Sequence, residues 1–464
     1  MENRLKNKIK KLVLPKKPFY KNIEPGVDFL HLFRLIESKF ETIFLLESLG
    51  EETYDSRYSV IGFSPDSVIR GRGNKLFIDN EEYSVENPYY ALRDYIPQDI
   101  ISRQYSGGLV GYLGYDAFNY FEPGLNLAAH PEWDAMMFGM FTDGLVYDKF
   151  TGQTFYFYYK KDRSGLVLDI AGETLPDVKT PSVKEKGQSV AEDDHRKMVE
   201  SAIEEIKAGN TFQCQIGFKK DYSIKGDTFE IYKSLRRINP SPHMFYMKFG
   251  EKKLIGASPE LNFRLRQGEM ESFPLAGTAK RGKTPDEDTE LVRTLLNDKK
   301  EIAEHNMLID LHRNDIGRVA RFGTVKVRRQ FDIKRFSHVQ HISSEVVGII
   351  SSEHDMFSGL ASSFPAGTLS GAPKIESMKI IDRIEKSPRG PYGGAVGHFG
   401  LNGDCTFSIP IRTLFVNGEN AFLRASGGIV YDSIPKSEYQ EILNKMGAVL
   451  AALGEFMDTR EDAS

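Results

Sequence analysis

Two pairs of glutamates lie at helical spacing in the second half of the chain. Glu301 and Glu304 are three residues apart, as are Glu438 and Glu441, and residues with this spacing share one face of a helix. Magnesium prefers carboxylate oxygens and retains several waters, so two such helices could hold one Mg²⁺ between them. Taken alone, the pattern is more typical of solvated helices with ordinary Glu–Lys pairs, such as Glu441 with Lys445.

A histidine and two runs of small residues could also take part in chemistry. His341 lies in an alternating run that predicts a strand, and alternation puts it on the same face as Val339. A single histidine on an apolar face is more often a core residue than a catalyst. Residues 364–374 and 425–428 are rich in small side chains. Their backbone N–H groups could bind an anion, although structural turns have the same composition.

Start signals in the sequence predict the helices that carry the glutamate pairs. Thr284, Pro285 and Glu287 have the pattern of a capping box, which predicts a helix that begins there and continues past Leu308. A final helix is predicted over residues 433–453, again with a proline at its start. Strand-like runs between the two helices are residues 339–350, 394–399 and 408–415.

The first part of the chain has a different character. Residues 1–170 consist mostly of short runs of β-branched and aromatic residues separated by turn residues, which predicts strands. Residues 171–192 contain two prolines and many charges with little apolar periodicity, and this composition is typical of a linker. We therefore predict a strand-rich N-terminal domain over residues 1–180 and a second domain over residues 193–460.

The overall composition excludes several classes of protein. The 61 basic and 65 acidic side chains give a net charge of −4, which provides no electrostatic footprint for nucleic acid. The two cysteines, Cys214 and Cys405, form no CxxC zinc motif and no disulfide framework, which favours a reducing compartment. No apolar run is long enough for a membrane span. We therefore expect a cytoplasmic protein.

An ordered set of short motifs resembles the chorismate-utilising enzymes, and the match is strongest between residues 239 and 445. The matching runs are Asn-Pro-Ser-Pro at 239–242, Gly-Ala-Ser-Pro-Glu at 256–260, Pro-Leu-Ala-Gly-Thr at 274–278, Glu-His-x-Met-Leu-Ile-Asp-Leu-x-Arg-Asn-Asp at 304–315, Phe-Pro-Ala-Gly-Thr at 364–368, Tyr-Gly-Gly-Ala-Val-Gly at 392–397 and Asp-Ser-x-Pro at 432–435. The resemblance implies an α/β fold of the α+β type, with large antiparallel sheets packed as a sandwich and helices on the outside.

The resemblance also implies roles for individual residues. Glu304 and Glu441 would ligate Mg²⁺, which binds the ring carboxylate of chorismate, with Glu301 and Glu438 as supporting groups. Glu260 would be the general acid, and His341 would help to remove the ring proton. The implied catalytic set also contains Thr368 and Gln213, and the implied substrate-binding residues are Gly277, Thr278, Tyr392, Arg412, Gly427, Gly428 and Lys445.

Two positions favour one reaction within the family. Relatives that add water have a lysine base where this chain has Gln213, and a glutamine cannot take a proton from water. Relatives that make 4-amino-4-deoxychorismate often have a nucleophilic lysine where this chain has Ala276. The resemblance therefore implies conversion of chorismate and ammonia to anthranilate and pyruvate, the first committed step of tryptophan biosynthesis. The alternatives are a 4-amino-4-deoxychorismate synthase component and a non-catalytic amino-acid sensor.

The resemblance implies partners and a regulator as well. The tryptophan-feedback elements of the family match Leu-Leu-Glu-Ser at 45–48 and residues 239–244, which predicts that tryptophan inhibits the enzyme by binding at Ser48, Pro242, His243 and Met244. Neither cysteine lies in an amidotransferase motif, so a separate glutamine amidotransferase subunit is expected to supply ammonia. The chain departs from the usual family pattern at 215–218 and at 408–412, and the mid-strand Pro410 suggests an edge strand or a bulge.

Overall fold

The computed structural model describes residues 9–49, 56–102, 104–175, 177–335 and 339–457. The strands are β1 (Phe19–Ile23), β2 (Thr42–Glu47), β3 (Tyr58–Phe63), β4 (Ser67–Arg72), β5 (Lys75–Ile78), β6 (Glu81–Ser84), β7 (Gly108–Leu113), β8 (Met136–Phe141), β9 (Asp143–Asp148), β10 (Gln153–Tyr158), β11 (Ser182–Gln188), β12 (Gln213–Lys225), β13 (His243–Phe249), β14 (Lys252–Ser258), β15 (Leu261–Arg266), β16 (Glu269–Ser272), β17 (Leu275–Lys280), β18 (Lys326–Arg335), β19 (Val339–Ile349), β20 (Gly371–Ala372), β21 (Ala395–Gly400), β22 (Cys405–Ser408), β23 (Thr413–Asn417) and β24 (Asn420–Ile429).

The helices are α1 (Phe29–Glu37), α2 (Leu92–Tyr95), α3 (Ser164–Ala171), α4 (Glu192–Lys207), α5 (Thr228–Ile238), α6 (Pro285–Asn297), α7 (Lys299–Gly317), α8 (Met356–Ser363), α9 (Lys374–Ile384) and α10 (Pro435–Gly454). Short 3₁₀ turns cover Tyr115–Tyr120 and Gly367–Leu369.

The strands form two large antiparallel sheets. The order in the first sheet is β1-β10-β9-β3-β2-β13-β14-β23-β24-β12-β11, and β20 also pairs with β12. The order in the second sheet is β17-β19-β16-β15-β22-β21-β7-β8-β4-β5-β6, and β18 also pairs with β19. Each sheet contains strands from both of the predicted domains. The domain boundary at residues 181–192 stays a prediction. In both sheets, strands from before the boundary are hydrogen-bonded to strands from after it.

Alternation along the strands builds two apolar layers. On β2, Phe44 enters the core shared by the two sheets, whereas Ile43 and Leu45 enter a second core that the first sheet shares with α1, α4, α5, α9 and α10. β13 alternates in the same way, with Phe245 in the core between the sheets and Tyr246 on the helix side. The molecule is therefore a sandwich of sheets with helices on the outside, which confirms the predicted fold class.

The predicted long helix after Thr284 is two helices, so that part of the prediction is wrong. α6 begins where expected, with the Thr284 hydroxyl accepting from Glu287 N at 3.2 Å and Pro285 in the first turn. The helix ends at Asp298, whose backbone is extended (φ −74°, ψ 109°). The Asp298 carboxylate then caps α7 by accepting from Lys300 N at 2.9 Å. The helix that carries Glu301 and Glu304 therefore begins with its own cap and does not continue α6.

Two other predicted segments are corrected by the sheet topology. Residues 408–415 do not form one strand, because β22 ends at Ser408 in the second sheet and β23 begins at Thr413 in the first. Pro410 therefore lies in a crossover between sheets and not in a bulge of one strand. The predicted linker contains strand β11, which pairs with β12 and is interrupted by a bulge at residues 185–187. Among the described residues, no helix combines the length and apolar composition needed to cross a membrane.

Candidate active site

Two short connections between the sheets meet at the candidate site. Glu260 lies between β14 of the first sheet and β15 of the second, and Arg412 lies between β22 of the second sheet and β23 of the first. The connections are hydrogen-bonded to each other: Ile409 N donates to Glu260 O at 3.1 Å, and Ala257 N donates to Arg412 O at 3.2 Å. Arg412 has a φ of 51°, a left-handed conformation that is costly for a residue with a side chain. Tertiary contacts therefore hold the backbone that carries Arg412.

The carboxyl group of Glu260 is buried, with the residue only 6% exposed. The hydroxyl of Thr368 donates to its Oε1 at 2.9 Å. Burial raises the pKa of Glu260 to about 7, against smaller lowering effects of the Thr368 hydrogen bond and the positive charges of Lys445 and Arg412. Near neutral pH the group is divided between its acid and base forms, which suits general acid catalysis.

His341 lies on β19, as predicted, and is fixed by a bulge in the neighbouring strand. The register of β17 shifts between Ala276 and Thr278, so Gly277 is an extra residue, with a φ of 64°. Its carbonyl oxygen lies 3.0 Å from Nδ1 of His341. Since a carbonyl can only accept, Nδ1 carries the proton and Nε2 is the basic nitrogen of the neutral ring.

Burial keeps His341 neutral. Burial, together with the smaller effects of the Arg412 and Lys445 charges, lowers the pKa of His341 to about 4, against the raising effect of the Gly277 carbonyl. The same two cations act on Glu260, so His341 and Glu260 belong to one electrostatic environment. A neutral imidazole and a half-protonated carboxyl that share two neighbouring cations provide one potential base and one potential acid near neutral pH.

The four predicted metal-site glutamates converge from α7 and α10. Burial raises the pKa of Glu301, Glu304 and Glu438, and the negative charge of Glu441 raises each of them further. Glu441 itself pairs with Lys445, with Oε1 2.7 Å from Nζ. The Oε2 atom of Glu438 is buried and has no hydrogen-bond partner among the described residues. Acidic groups that repel one another in a partly buried space fit a divalent cation.

Two of these carboxylates lie close to glycines of the candidate site. A side chain built on Gly277 would approach Oε2 of Glu301 to 3.1 Å, and one built on Gly427 would approach Oε2 of Glu438 to 3.0 Å. Within the described part of the chain, no three His, Cys, Asp or Glu side chains are arranged to hold a metal by themselves. An ion here would complete its coordination with water and ligand oxygens, as Mg²⁺ usually does.

Tyr392 and the Gly427–Gly428 backbone belong to a polar network across β12 and β24. The hydroxyl of Ser426 donates to Oε1 of Gln215 at 3.0 Å and lies 2.9 Å from the hydroxyl of Tyr392. Because the Ser426 proton goes to Gln215, the Tyr392 hydroxyl is the donor to Ser426. A side chain on Gly428 would lie 3.0 Å from Nε2 of Gln215.

The side chain of Gln213 also lies next to Gly428. Its Nε2 would be 2.5 Å from a Cβ atom on Gly428, so the two glutamine amides fill the space that a side chain at this position would need. The sequence analysis allowed residues 425–428 to be a structural turn, but they lie inside β24 and pair with β12. It also did not single out Ser426 and Gln215 as site residues, although both lie in runs that it noted. The side chain of Thr278 lies outside the described residues.

The four predicted inhibitor residues, Ser48, Pro242, His243 and Met244, line a separate cavity of about 850 Å³ between the sheets. Its wall also includes Pro259, which precedes Glu260. Strand β17 contributes Leu275 and strand β19 contributes Ser343, each two residues from Gly277 or His341. The cavity and the candidate active site therefore share three segments of backbone.

The sequence model of the chorismate binding enzymes matches residues 42–451, and the chain belongs to this family. The chain is 61% identical over 453 residues to component 1 of anthranilate synthase from Leptospira biflexa, covering 96% of this chain and 97% of that protein. It is 40% identical to component 1 from Methanothermobacter thermautotrophicus over 457 residues, covering 97% and 95%. The predicted similarity to this branch of the family, and the prediction of an enzyme, are confirmed.

Solved structures agree at the level of the fold. The crystal structure of anthranilate synthase component I from Streptococcus pneumoniae superposes with a TM-score of 0.78 at 30% identity, over 86% of this chain and 94% of that one. The menaquinone-specific isochorismate synthase of Escherichia coli gives a TM-score of 0.73 at 17% identity, over 94% of each chain. Its similarity concerns the fold alone.

Proposed function

We propose that this chain is the synthase subunit of an anthranilate synthase, which converts chorismate and ammonia to anthranilate, pyruvate and water. The observation that carries the proposal is the buried Glu260, held by Thr368 and sharing two neighbouring cations with the neutral His341. An addition followed by an elimination requires one acid and one base that act on the same substrate.

In the first step, ammonia forms a C–N bond beside the ring carboxylate, the ring double bonds shift, and the C–O bond to the ring hydroxyl breaks. Glu260 in its acid form gives a proton to the departing oxygen, which leaves as water. The Thr368 hydrogen bond to Oε1 keeps the carboxyl oriented. Burial keeps a useful fraction of Glu260 protonated near neutral pH.

In the second step, a base takes the ring proton from the carbon that received nitrogen, and the C–O bond to the enolpyruvyl group breaks. The ring becomes aromatic, and the enolate that leaves takes a proton at its methylene carbon to become pyruvate. His341 is suited to this step because its Nδ1 proton is held by Gly277 and its ring is neutral above about pH 4. Its Nε2 therefore has the lone pair that proton removal needs.

The substrate is a dicarboxylate, and the residues around the site suit its charges. The partly buried guanidinium of Arg412 and the amides of Gly427 and Gly428 would hold the enolpyruvyl carboxylate. The ammonium group of Lys445 is anchored by Glu441 and by the carbonyl of Ser426, at 2.7 and 3.0 Å. Tyr392, whose hydroxyl hydrogen is directed to Ser426, can accept a hydrogen bond from the ligand side.

Mg²⁺ is the cofactor that the acidic cluster fits. Glu304 and Glu441 would hold it, with Glu301 and Glu438 supporting them, and it would neutralise the ring carboxylate when chorismate binds. The repulsion among these four carboxylates supports this assignment, as does the Oε2 of Glu438, for which the described residues offer no hydrogen-bond partner.

Anthranilate is favoured over the other products of the family by Gln213 and Ala276. The Gln213 side chain lies next to Gly428 and, unlike a lysine, cannot deprotonate water. Ala276 sits in β17 beside the bulge at Gly277 and offers no nucleophile. A folate-pathway enzyme that stops at 4-amino-4-deoxychorismate would release no pyruvate, so product mass separates the two.

A separate glutamine amidotransferase subunit would supply the ammonia. Cys214 and Cys405 are both buried, and burial raises the pKa of Cys214 to about 12 and that of Cys405 still further. Neither thiol can supply the reactive thiolate that glutamine hydrolysis requires. Unpaired thiols also suit the reducing cytoplasm, which we propose as the compartment.

The cavity between the sheets would bind tryptophan as a feedback inhibitor. Ser48, Pro242, His243 and Met244 line it, and an indole suits its size and its mixed polar and apolar walls. Shared segments link it to the catalytic residues, since Pro259 precedes Glu260 and Ser343 is on the strand of His341. A ligand that stabilises one arrangement of these segments can therefore change activity.

One assay tests the proposal. The purified chain is incubated with chorismate, Mg²⁺ and ammonium, and the masses of all products are recorded with and without tryptophan. We expect anthranilate and pyruvate in equal amounts, no reaction with glutamine alone, and inhibition by tryptophan. Isochorismate or an amino compound that retains the pyruvyl group as the final product would refute the proposed reaction.

A further inference from the structure

A buried ion cluster of Arg389, Glu385 and Arg424 lies behind the candidate active site. The side chains of these residues are 2%, 3% and 1% exposed. Glu385 accepts from Nε and Nη2 of Arg389 at 2.8 and 2.9 Å and from Nη2 of Arg424 at 2.8 Å. It also accepts from the backbone of Gly217 at 2.9 Å. The cluster is therefore an internal, hydrogen-bonded unit.

Arg389 differs from Arg424 in what its remaining donors reach. Nη1 of Arg389 donates to the carbonyl of Leu369 at 2.6 Å, and Nη2 donates to the carbonyl of Gln215 at 2.9 Å. Leu369 follows Thr368 in the 3₁₀ turn, and Gln215 is paired with Gly428. One planar guanidinium thus joins the turn that holds the proposed acid to the strand pair beside the proposed carboxylate site.

Arg424 donates to the same glutamate and therefore serves as the comparison for Arg389. Its Nη1 donates to the carbonyl and hydroxyl of Ser387 at 3.1 and 3.0 Å, and to the carbonyl of Pro388 at 3.3 Å. These acceptors lie in the connection between α9 and β21, away from the Thr368 turn. The two arginines share the same acid and the same degree of burial, but of the two only Arg389 donates to the carbonyls of Leu369 and Gln215.

We propose that Arg389 is a positioning residue for the reaction: by holding the carbonyls of Leu369 and Gln215, it keeps the hydroxyl of Thr368 on Glu260. The inference rests on the proposed function. Buried ionic groups are expensive to desolvate, and a cluster that only filled space could be replaced by apolar side chains. The rigid fork of Arg389 gives it a geometric task that an apolar side chain could not perform.

Displacing the Thr368 turn has a defined consequence for Glu260. The groups that act on Glu260 are Thr368, Lys445 from α10 and Arg412 from the crossover, and the Thr368 hydrogen bond lowers its pKa. Loss of that bond leaves Glu260 protonated to a higher pH. In Arg389→Lys, a single ammonium group cannot donate to both the Leu369 and Gln215 carbonyls as the guanidinium does. We therefore expect kcat to fall at least tenfold and the alkaline limb of the kcat–pH profile to move to higher pH.

A mutant cycle separates positioning from general destabilisation. Thr368→Val should move the alkaline limb in the same direction, and adding Arg389→Lys to Thr368→Val should move it no further, because both changes remove the same hydrogen bond. Arg424→Lys is the matched control, with the same substitution in the same cluster. It should leave the position of the limb unchanged.

Hydrogen exchange gives a readout that does not depend on activity. Peptides covering residues 364–372 should exchange faster in Arg389→Lys than in Arg424→Lys at equal global stability. If Arg389→Lys does not fold, Arg389→Met combined with Glu385→Gln replaces it, since that pair preserves the net charge of the cluster. The same exchange comparison and rate profile then apply.

The results can contradict the inference without contradicting the proposed function. Equal exchange in the two lysine variants, or additive shifts in the mutant cycle, would overturn the role of Arg389 in an enzyme that still makes anthranilate. A wild-type chain that makes no product from chorismate, Mg²⁺ and ammonium would overturn the proposed function, and the exchange experiment would still test whether Arg389 holds the Thr368 turn.

Discussion

The hydroxyl of Thr368 donates a hydrogen bond to the carboxyl group of Glu260 at 2.9 Å, although 108 residues separate the two in sequence. Thr368 comes from a 3₁₀ turn and Glu260 from a crossover between sheets. The contact joins two segments that have no local reason to meet. It places a fixed donor on the one carboxyl group in the site whose pKa is raised to about 7.

Replacing Glu260 by glutamine should separate stability from activity. The pKa of Glu260 is about 7 in the folded protein against 4.5 for the ordinary group, so the folded state binds more protons and stability declines as pH rises from 4.5 through 7. Glu260→Gln removes this penalty. We expect it to increase the free energy of unfolding at pH 8 by about 3 kcal/mol, with activity reduced at least about 100-fold.

Urea unfolding at pH 4.5 and pH 8 measures this effect. The difference between Glu260→Gln and wild type should appear only at the higher pH. Glu200→Gln, on the exposed face of α4, is the control and should show no such dependence. An equal or smaller stability of Glu260→Gln at pH 8 would mean that Glu260 is not a destabilised carboxylate.

Replacing His341 by asparagine should affect the second chemical step more than the first. Chorismate should still be consumed, while an aminated compound that retains the pyruvyl group accumulates and anthranilate falls about 100-fold or more. Since the pKa of His341 is about 4, the wild-type elimination should be independent of pH above about 5. His354→Asn, at an exposed histidine, is the control, and unchanged anthranilate release in His341→Asn would remove His341 from the mechanism.

The glutamates of α7 should differ in their effect on magnesium. Glu304→Gln removes a proposed ligand and should raise the Mg²⁺ concentration for half-maximal activity by more than about 100-fold, whereas Glu301→Gln, a supporting group, should raise it by about tenfold. Calorimetric titration of Mg²⁺ in the presence of chorismate gives the same ranking without turnover. Glu290→Gln on the exposed face of α6 is the control. Equal effects of all three variants would contradict a metal site at Glu304.

The cavity between the sheets predicts how feedback can be removed. Ser48→Phe places a large side chain in the space that tryptophan would occupy, and we expect tryptophan affinity to fall at least about tenfold, a loss of about 1.4 kcal/mol. Calorimetric titration with tryptophan measures this directly, with Ser201→Phe on the exposed face of α4 as the control. Unaltered binding in Ser48→Phe would place the tryptophan site elsewhere.

Local patterns in the sequence determined the features that depend on near neighbours. The start of α6, the strand of His341 and the final helix all follow from cap residues and periodicity, because these signals act within one or two turns of chain. The same holds for the placement of each glutamate pair on one helix. The roles of these residues came from the order of short motifs, since no single motif distinguishes a metal ligand from a solvated glutamate.

Tertiary structure decided the rest. The passage of Glu260 and Arg412 between sheets and the bulge at Gly277 depend on strand pairs between segments that are distant in the sequence. Hydrogen bonding along a strand has no preferred partner in the local sequence, so such pairings cannot be obtained from spacing. Ser426 and Gln215 became site residues only when β12 and β24 paired, because their polar side chains meet across the sheet and not along the chain.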